Sequence, residues 1–121
     1  MKILVVDDSR AMRMIVMRTL RQAGFGDHTI EEAANGVEAL ENIKGKQPDL
    51  ILCDWNMPEM NGIDLLKNLR GSGNQVPFGF VTAEGNPEMK VTAKESGAMF
   101  LITRPFTVAA FQEHLAPVVA G

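Results

Sequence analysis

Leu50-Ile51-Leu52-Cys53 is a run of four apolar residues that stops at Asp54. A run this short, apolar at every position, reads as a strand buried on both faces, as in a parallel sheet. Ile3-Leu4-Val5-Val6 has the same character and also stops at acid, here Asp7 and Asp8. Outward from these two runs, strand and helix patterns alternate. Ser9 is placed to cap a helix running to Ala23, with Met12, Ile15, Val16, Leu20 and Ala23 on one face and Gly24 as its stop. His28 to Ala33 reads as a weaker strand, polar enough for a sheet edge. Asn35-Gly36 marks a turn, and Val37, Leu40 and Ile43 form a stripe that Pro48 breaks.

Beyond Asp54, Pro58 and Gly62 precede a helix marked by Ile63, Leu65, Leu66 and Leu69. Phe78 to Val81 is a strand in which Gly79 leaves room between bulky neighbours. Pro87 opens a helix to about Ser96, and Met99 to Ile102 is the fifth strand. Thr107 caps a last helix through Phe111 and Leu115, which Pro117 ends or kinks. Such alternation predicts an α/β fold: a doubly wound, five-stranded parallel sheet with five helices on its two faces, joined by right-handed crossovers. Ligands of these sheets sit beyond the carboxyl ends of the strands, where the strand order reverses.

Bulk properties narrow the function. A chain of 121 residues fits one domain, expected to span 1–121 with no effector domain, so that output would act through a surface. Net charge −3 provides no basic field for nucleic acid. The single cysteine, Cys53, forms no internal disulfide, in keeping with a reducing compartment. No apolar run approaches the ~20 residues that span a bilayer. MKILVVDDSR carries two carboxylates where a leader needs an apolar stretch, so a cytoplasmic protein without membrane association is expected.

If the first and third strands are neighbours, Asp7, Asp8 and Asp54 converge at one crevice. Two carboxylates about 4 Å apart repel by ~4 kcal/mol at an effective dielectric near 20, so such a cluster holds protons or a cation. Oxygen ligands without His or Cys favour a hard ion, Mg²⁺ before zinc. Helix capping by carboxylates is the simpler account, and it covers Asp8. It does not explain Asp54 at the end of an apolar strand. A carboxylate beside Mg²⁺ can attack a phosphoryl group. Thr82, ending the fourth strand, brings a hydroxyl to the same edge, and Arg104, after the fifth, brings a cation.

VVDDS at 5–9, DWNMPEMNG at 54–62, VTAE at 81–84 and TRPF at 103–106 together resemble the response-regulator receiver domain of two-component systems, and DWNMP resembles its single-domain chemotaxis branch. The likeness runs from about Lys2 to Val119. It implies the flavodoxin-like strand order 2-1-3-4-5 and phosphorylation of Asp54. It implies Mg²⁺ held by Asp8, Asp54 and the backbone carbonyl of Asn56, with Asp7 acting through water. It also implies Thr82 and Arg104 as the groups that move to the phosphoryl, Asn56 and Glu84 as tuners of dephosphorylation, Leu101 as the switch position of the fifth strand, and a cis peptide bond before Pro105. The chain would not be an enzyme beyond self-catalysed phosphotransfer and dephosphorylation.

The implied partners are a histidine kinase or histidine phosphotransfer protein as donor, and a downstream target such as a flagellar motor switch. The readout face would be the fourth helix, fifth strand and fifth helix, with Lys90, Lys94, Leu101 and Phe111 as candidates, Phe111 being better explained as core. His28 and His114 lie outside the motifs and read as surface residues. Met14 and Met17, off the first helix's apolar face among Arg10, Arg13, Arg18 and Arg21, read equally as a kinase-docking surface or as ordinary half-buried residues.

Two positions depart from the family pattern. Arg104 stands where lysine is usual; its wider fork can bridge Asp54 at rest. Leu101, with Phe100 beside it, stands where an aromatic ring is frequent. The arginine keeps open a receiver that acts by protein contact without phosphorylation. A haloacid-dehalogenase-type phosphatase would need D-x-D after the first strand, and a flavin module a hydroxyl- and glycine-rich loop there; DDSRAM is neither.

Overall fold

The computed structural model describes residues 1–83 and 85–120. Five strands, β1 (Lys2–Val6), β2 (Thr29–Ala33), β3 (Leu50–Cys53), β4 (Phe78–Thr82) and β5 (Phe100–Thr103), alternate with α1 (Arg10–Leu20), α2 (Gly36–Gly45), α3 (Gly62–Gly71), α4 (Pro87–Glu95) and α5 (Val108–Ala120). The sheet is parallel throughout, in the order β2-β1-β3-β4-β5. The edge position of β2 accounts for its polar sequence. Val6 pairs with Cys53 in the β1–β3 register, so Asp7 and Asp54 leave the sheet side by side.

Alternate strand residues feed two cores. Leu4, Val6, Ile51, Cys53, Phe78 and Phe80 meet Leu65, Leu66 and Leu69 of α3 and Ala93 of α4. Ile3, Val5, Leu50, Leu52 and Ile102 meet Val16 and Leu20 of α1 and Phe111 and Leu115 of α5. Gly79 is dictated by this packing: a Cβ there would lie 2.1 Å from the Phe100 ring.

The helices are capped by their own sequence. Side-chain oxygens of Ser9, Asn35, Asn61 and Asn86 accept first-turn N–H groups of α1, α2, α3 and α4. The Thr107 hydroxyl likewise accepts from Ala110 N–H at 3.0 Å. α1 continues into a π-helical turn, Arg21–Phe25, in which Gly24 takes φ 98°, a left-handed value suited to glycine.

Several orientations differ from the sequence expectation. Ile15 is 43% exposed, because the buried stripe of α1 is Val16, Thr19 and Leu20, continued by Ala23 in the π-helical turn, and adjacent helical residues point about 100° apart. Thr19 tolerates burial by donating its hydroxyl to the Ile15 carbonyl at 2.8 Å. Met17 packs on the α1–α5 core instead of facing outward. Val37 is 47% exposed; the inner stripe of α2 is Ala39, Leu40 and Ile43. Pro117 does not end α5, since Val118 and Val119 beyond it pack against the same core. His28 and His114 are half-buried, lying against Phe25 and Phe100 respectively.

Candidate functional site

Asp7, Asp8 and Asp54 each offer an oxygen within 4.8 Å of the others. The sheet register creates this cluster, and backbone hydrogen bonds extend it past the strand ends. Asp54 N–H donates to the Val6 carbonyl at 2.9 Å, and Asp7 N–H to the Ala33 carbonyl at 3.1 Å. Asp7 is buried, 4% exposed, Asp54 is half-buried and Asp8 is open to solvent. Ser9 N–H donates to Asp7 Oδ1 and Trp55 N–H to Asp54 Oδ1, both at 2.8 Å.

Burial pushes the Asp7 carboxyl up to about 6, against the pull of the Ser9 N–H; the charges of Asp54 and Asp8 add to the rise. Burial also raises Asp54, tempered by a hydrogen bond from the Thr82 side chain and by the Trp55 N–H. These are carboxylates crowded beyond their ordinary comfort, a condition that a bound cation relieves. The donor set is all oxygen and fits a hard divalent metal. The Cys53 thiol is fully buried, donates to the Asp54 carbonyl at 3.1 Å, and is held protonated by burial, so it is neither ligand nor nucleophile.

Thr82, 2% exposed at the end of β4, is joined to the cluster by its bond to Asp54. Asn56 is exposed two residues beyond Asp54, and its backbone N–H also favours the Asp54 carboxylate. Leu101 is half-buried against the α3–α4 core. Glu84 lies outside the described residues. Arg104 is exposed and does not bridge Asp54 among the described residues. Its Nη2 lies instead 3.5 Å from Met12 Sδ, on the first turns of α1. The Arg104–Pro105 peptide bond is cis.

Gly62, a helix boundary and the last residue of DWNMPEMNG in the sequence, has a role at the site that neither reading names. A Cβ there would fall 2.1 Å from the Asp54 carbonyl oxygen and 2.9 Å from the Phe80 ring. Its N–H donates to the Trp55 carbonyl at 2.8 Å. The β3–α3 loop can therefore turn back over Asp54 only with glycine at this position. No local pattern announces such a contact; the Asn61-Gly62 pair signals a turn and nothing about what the turn touches.

A parallel sheet wound in this order, with three carboxylates and a threonine hydroxyl gathered where the order reverses, defines a receiver-type α/β domain. The response regulator receiver domain model matches residues 3–116, and the chain belongs to that family. It is 40% identical over 122 residues to the chemotaxis protein CheY1 of Helicobacter pylori, covering 98% of this chain and 97% of the relative. It is 43% identical over 117 residues to CheY-3 of Vibrio cholerae, covering 95% and 88%. The solved structure of the Vibrio cholerae chemotaxis protein CheY4 superposes with a TM-score of 0.83 at 35% identity, covering 97% of both chains. The chain is thus a receiver domain of the two-component type, a class of signalling proteins and not conventional enzymes. No helix among the described residues is long and apolar enough to cross a membrane.

Proposed function

We propose that Asp54 accepts a phosphoryl group from a phosphohistidine donor, a kinase or a phosphotransfer protein, in the cytoplasm. The observation that carries this reading is the cluster itself: three carboxylates within 4.8 Å, one of them hydrogen-bonded by Thr82. Mg²⁺ is the cation that the oxygen set favours, with Asp8, Asp54 and the Asn56 carbonyl as direct ligands and Asp7 acting through water. When bound, it offsets the negative charge of the incoming phosphoryl oxygens. An Asp54 carboxylate oxygen attacks phosphorus; the O–P bond forms as the P–N bond to the donor breaks, and the ring nitrogen keeps that electron pair, so a phosphohistidine protonated on its other ring nitrogen departs as neutral imidazole.

The phosphorylated side chain carries more charge and more acceptors than the carboxylate. The Thr82 hydroxyl then turns from the carboxylate to a phosphoryl oxygen, and Arg104 exchanges the weak sulfur acceptor of Met12 for phosphate. Thr82 leads into α4 and Arg104 into α5, so both shifts act on the α4–β5–α5 face. That face carries a recess of about 310 Å³ bordered by Lys90, Lys94 and His114 over Phe100 and Leu101. Phe111 is fully buried and lies outside it. A basic rim over an apolar floor suits an acidic, amphipathic segment of a downstream protein, and the chemotaxis relatives make a flagellar motor switch the first candidate. Asn56 and Glu84 would tune loss of the phosphoryl group through the attacking water. Donor docking falls to α1, where Met14 and Ile15 are exposed among Arg10, Arg18 and Arg21.

The seat of Arg104 on Met12 favours a second reading, in which protein contact alone drives the output. One assay separates the two. Intact mass is measured after incubation with acetyl phosphate and Mg²⁺, for the parent and for Asp54→Asn. A gain of one PO₃ by the parent alone is expected. No gain, or a gain that survives in Asp54→Asn, refutes the phosphoryl-acceptor reading.

A further inference from the structure

We infer that Arg13 is a positioning residue of the acidic pocket: it pins the backbone of Asp7 against the mutual repulsion of the three carboxylates, and Glu32 aims it. The Arg13 Nη1 donates to the backbone carbonyl of Asp7 at 2.6 Å, and its Nε donates to Glu32 Oε1 at 2.9 Å. The side chain is only 14% exposed. One planar guanidinium therefore ties together the end of β1, helix α1 and edge strand β2.

The need for such a tie follows from the charges. With oxygens of all three carboxylates within 4.8 Å of one another, every pair repels at an effective protein dielectric far below that of water. Asp54 is fixed by β3, in the middle of the sheet. Asp7 and Asp8 stand on the short loop between β1 and α1, whose far end Ser9 ties to the first turn of α1. The Asp7 N–H bond to Ala33 is an ordinary ladder extension, and the Ser9 N–H to Asp7 Oδ1 bond lies within the loop and moves with it. The Arg13 bond comes from outside the loop, is charge-assisted, and is braced on its far side by Glu32. Lysine carries the same charge but lacks the rigid fork that serves both acceptors at once.

This role predicts an effect opposite in sign to simple electrostatics. A cation near the pocket weakens binding of a dication, so removing it for field reasons alone would tighten Mg²⁺. Loss of a positioning tie lets the acidic loop splay and weakens Mg²⁺. A purely structural arginine would alter thermal stability and leave Mg²⁺ affinity unchanged.

The inference rests on the reading of this pocket as a Mg²⁺ site, and the test keeps the two apart. The full chain is titrated with MgCl₂ by calorimetry, for the parent, Asp54→Asn, Arg13→Lys and Arg13→Met, below each variant's unfolding temperature. Arg13→Lys and Arg13→Met are both expected to bind Mg²⁺ about 10-fold more weakly than the parent. Parent-like affinity in Arg13→Lys overturns the inference, as does tighter binding by Arg13→Met. Should Arg13→Met fail to fold, Arg13→Lys decides alone, since it keeps the charge and removes only the bridge. A parent that binds no Mg²⁺, or an Asp54→Asn variant that binds like the parent, removes the pocket reading and this inference with it.

Discussion

Asp7→Asn removes a charge that the fold buries and keeps the acceptor the fold uses, because the asparagine Oδ1 can still take the Ser9 N–H. A carboxyl pushed from 3.8 to about 6 by folding costs ~3 kcal/mol of stability at neutral pH. With 4% exposure, little of that is screened by solvent. The new amide N–H₂ needs partners in a crowded pocket, so a net gain of ~2 kcal/mol is expected at pH 8 in EDTA, or ~8 °C in thermal midpoint. The sign follows from protonation. Below the unfolded value of 3.8, Asp7 is protonated in both states and adds no penalty. As pH rises toward about 6, the unfolded chain releases its proton first, and the parent loses stability relative to the variant until the gap is complete above 6. Asp54 is present in both proteins, so the difference between them reports Asp7 together with its coulombic coupling to Asp54. Denaturant unfolding at pH 4 and pH 8, each with EDTA, measures that difference. Added Mg²⁺ should narrow the gap by stabilising the parent more than the variant. An equal gap at both pH values, or a variant less stable than the parent at pH 8 without metal, would refute the reasoning.

Gly62→Ala should lose ~2 kcal/mol of stability and most phosphoryl acceptance, since its Cβ meets the Asp54 carbonyl; denaturant unfolding and intact mass after acetyl phosphate check both. Gly79→Ala should cost a similar ~2 kcal/mol by denaturant unfolding, and Phe100→Leu in the same chain should recover part of it, because the ring is what the added methyl meets. Arg104→Lys should keep or improve acetyl-phosphate-driven phosphorylation; its abolition would make the guanidinium itself a requirement. Met14→Glu should slow transfer from a kinase and leave acetyl phosphate unaffected, and equal loss from both donors would remove α1 as the docking face.

β1 and β3 were plain in the sequence because burial on both faces leaves Ile3–Val6 and Leu50–Cys53 wholly apolar and acids mark their ends sharply, whereas β2, with Thr29, Glu31 and Glu32, showed only as a weaker edge strand. The pocket was legible because each of its side chains stands at a strand end or just beyond one. Helix faces were less so. Ile15 and Val16 are neighbours of equal apolarity, and nothing local says which one turns inward; the answer came from Thr19, a polar residue made tolerable by its bond to the Ile15 carbonyl. Whether Pro117 ends or only kinks the last helix is not decided locally, because the packing of Val118 and Val119 is a tertiary fact. The reach of Arg13 to Glu32 and the seat of Arg104 on Met12 join residues 19 and 92 positions apart, and no spacing rule encodes either.

The close seating of Gly62 has a mechanical consequence. With no atom's width between the start of α3 and the Asp54 carbonyl, the third strand and the third helix are abutted like two bricks, and that side of Asp54 is a rigid abutment. Strain created at Asp54 has no slack to take up there. Under the phosphoryl-acceptor reading, a group added at Asp54 would act instead toward Thr82, where a hydroxyl can rotate and a loop can follow.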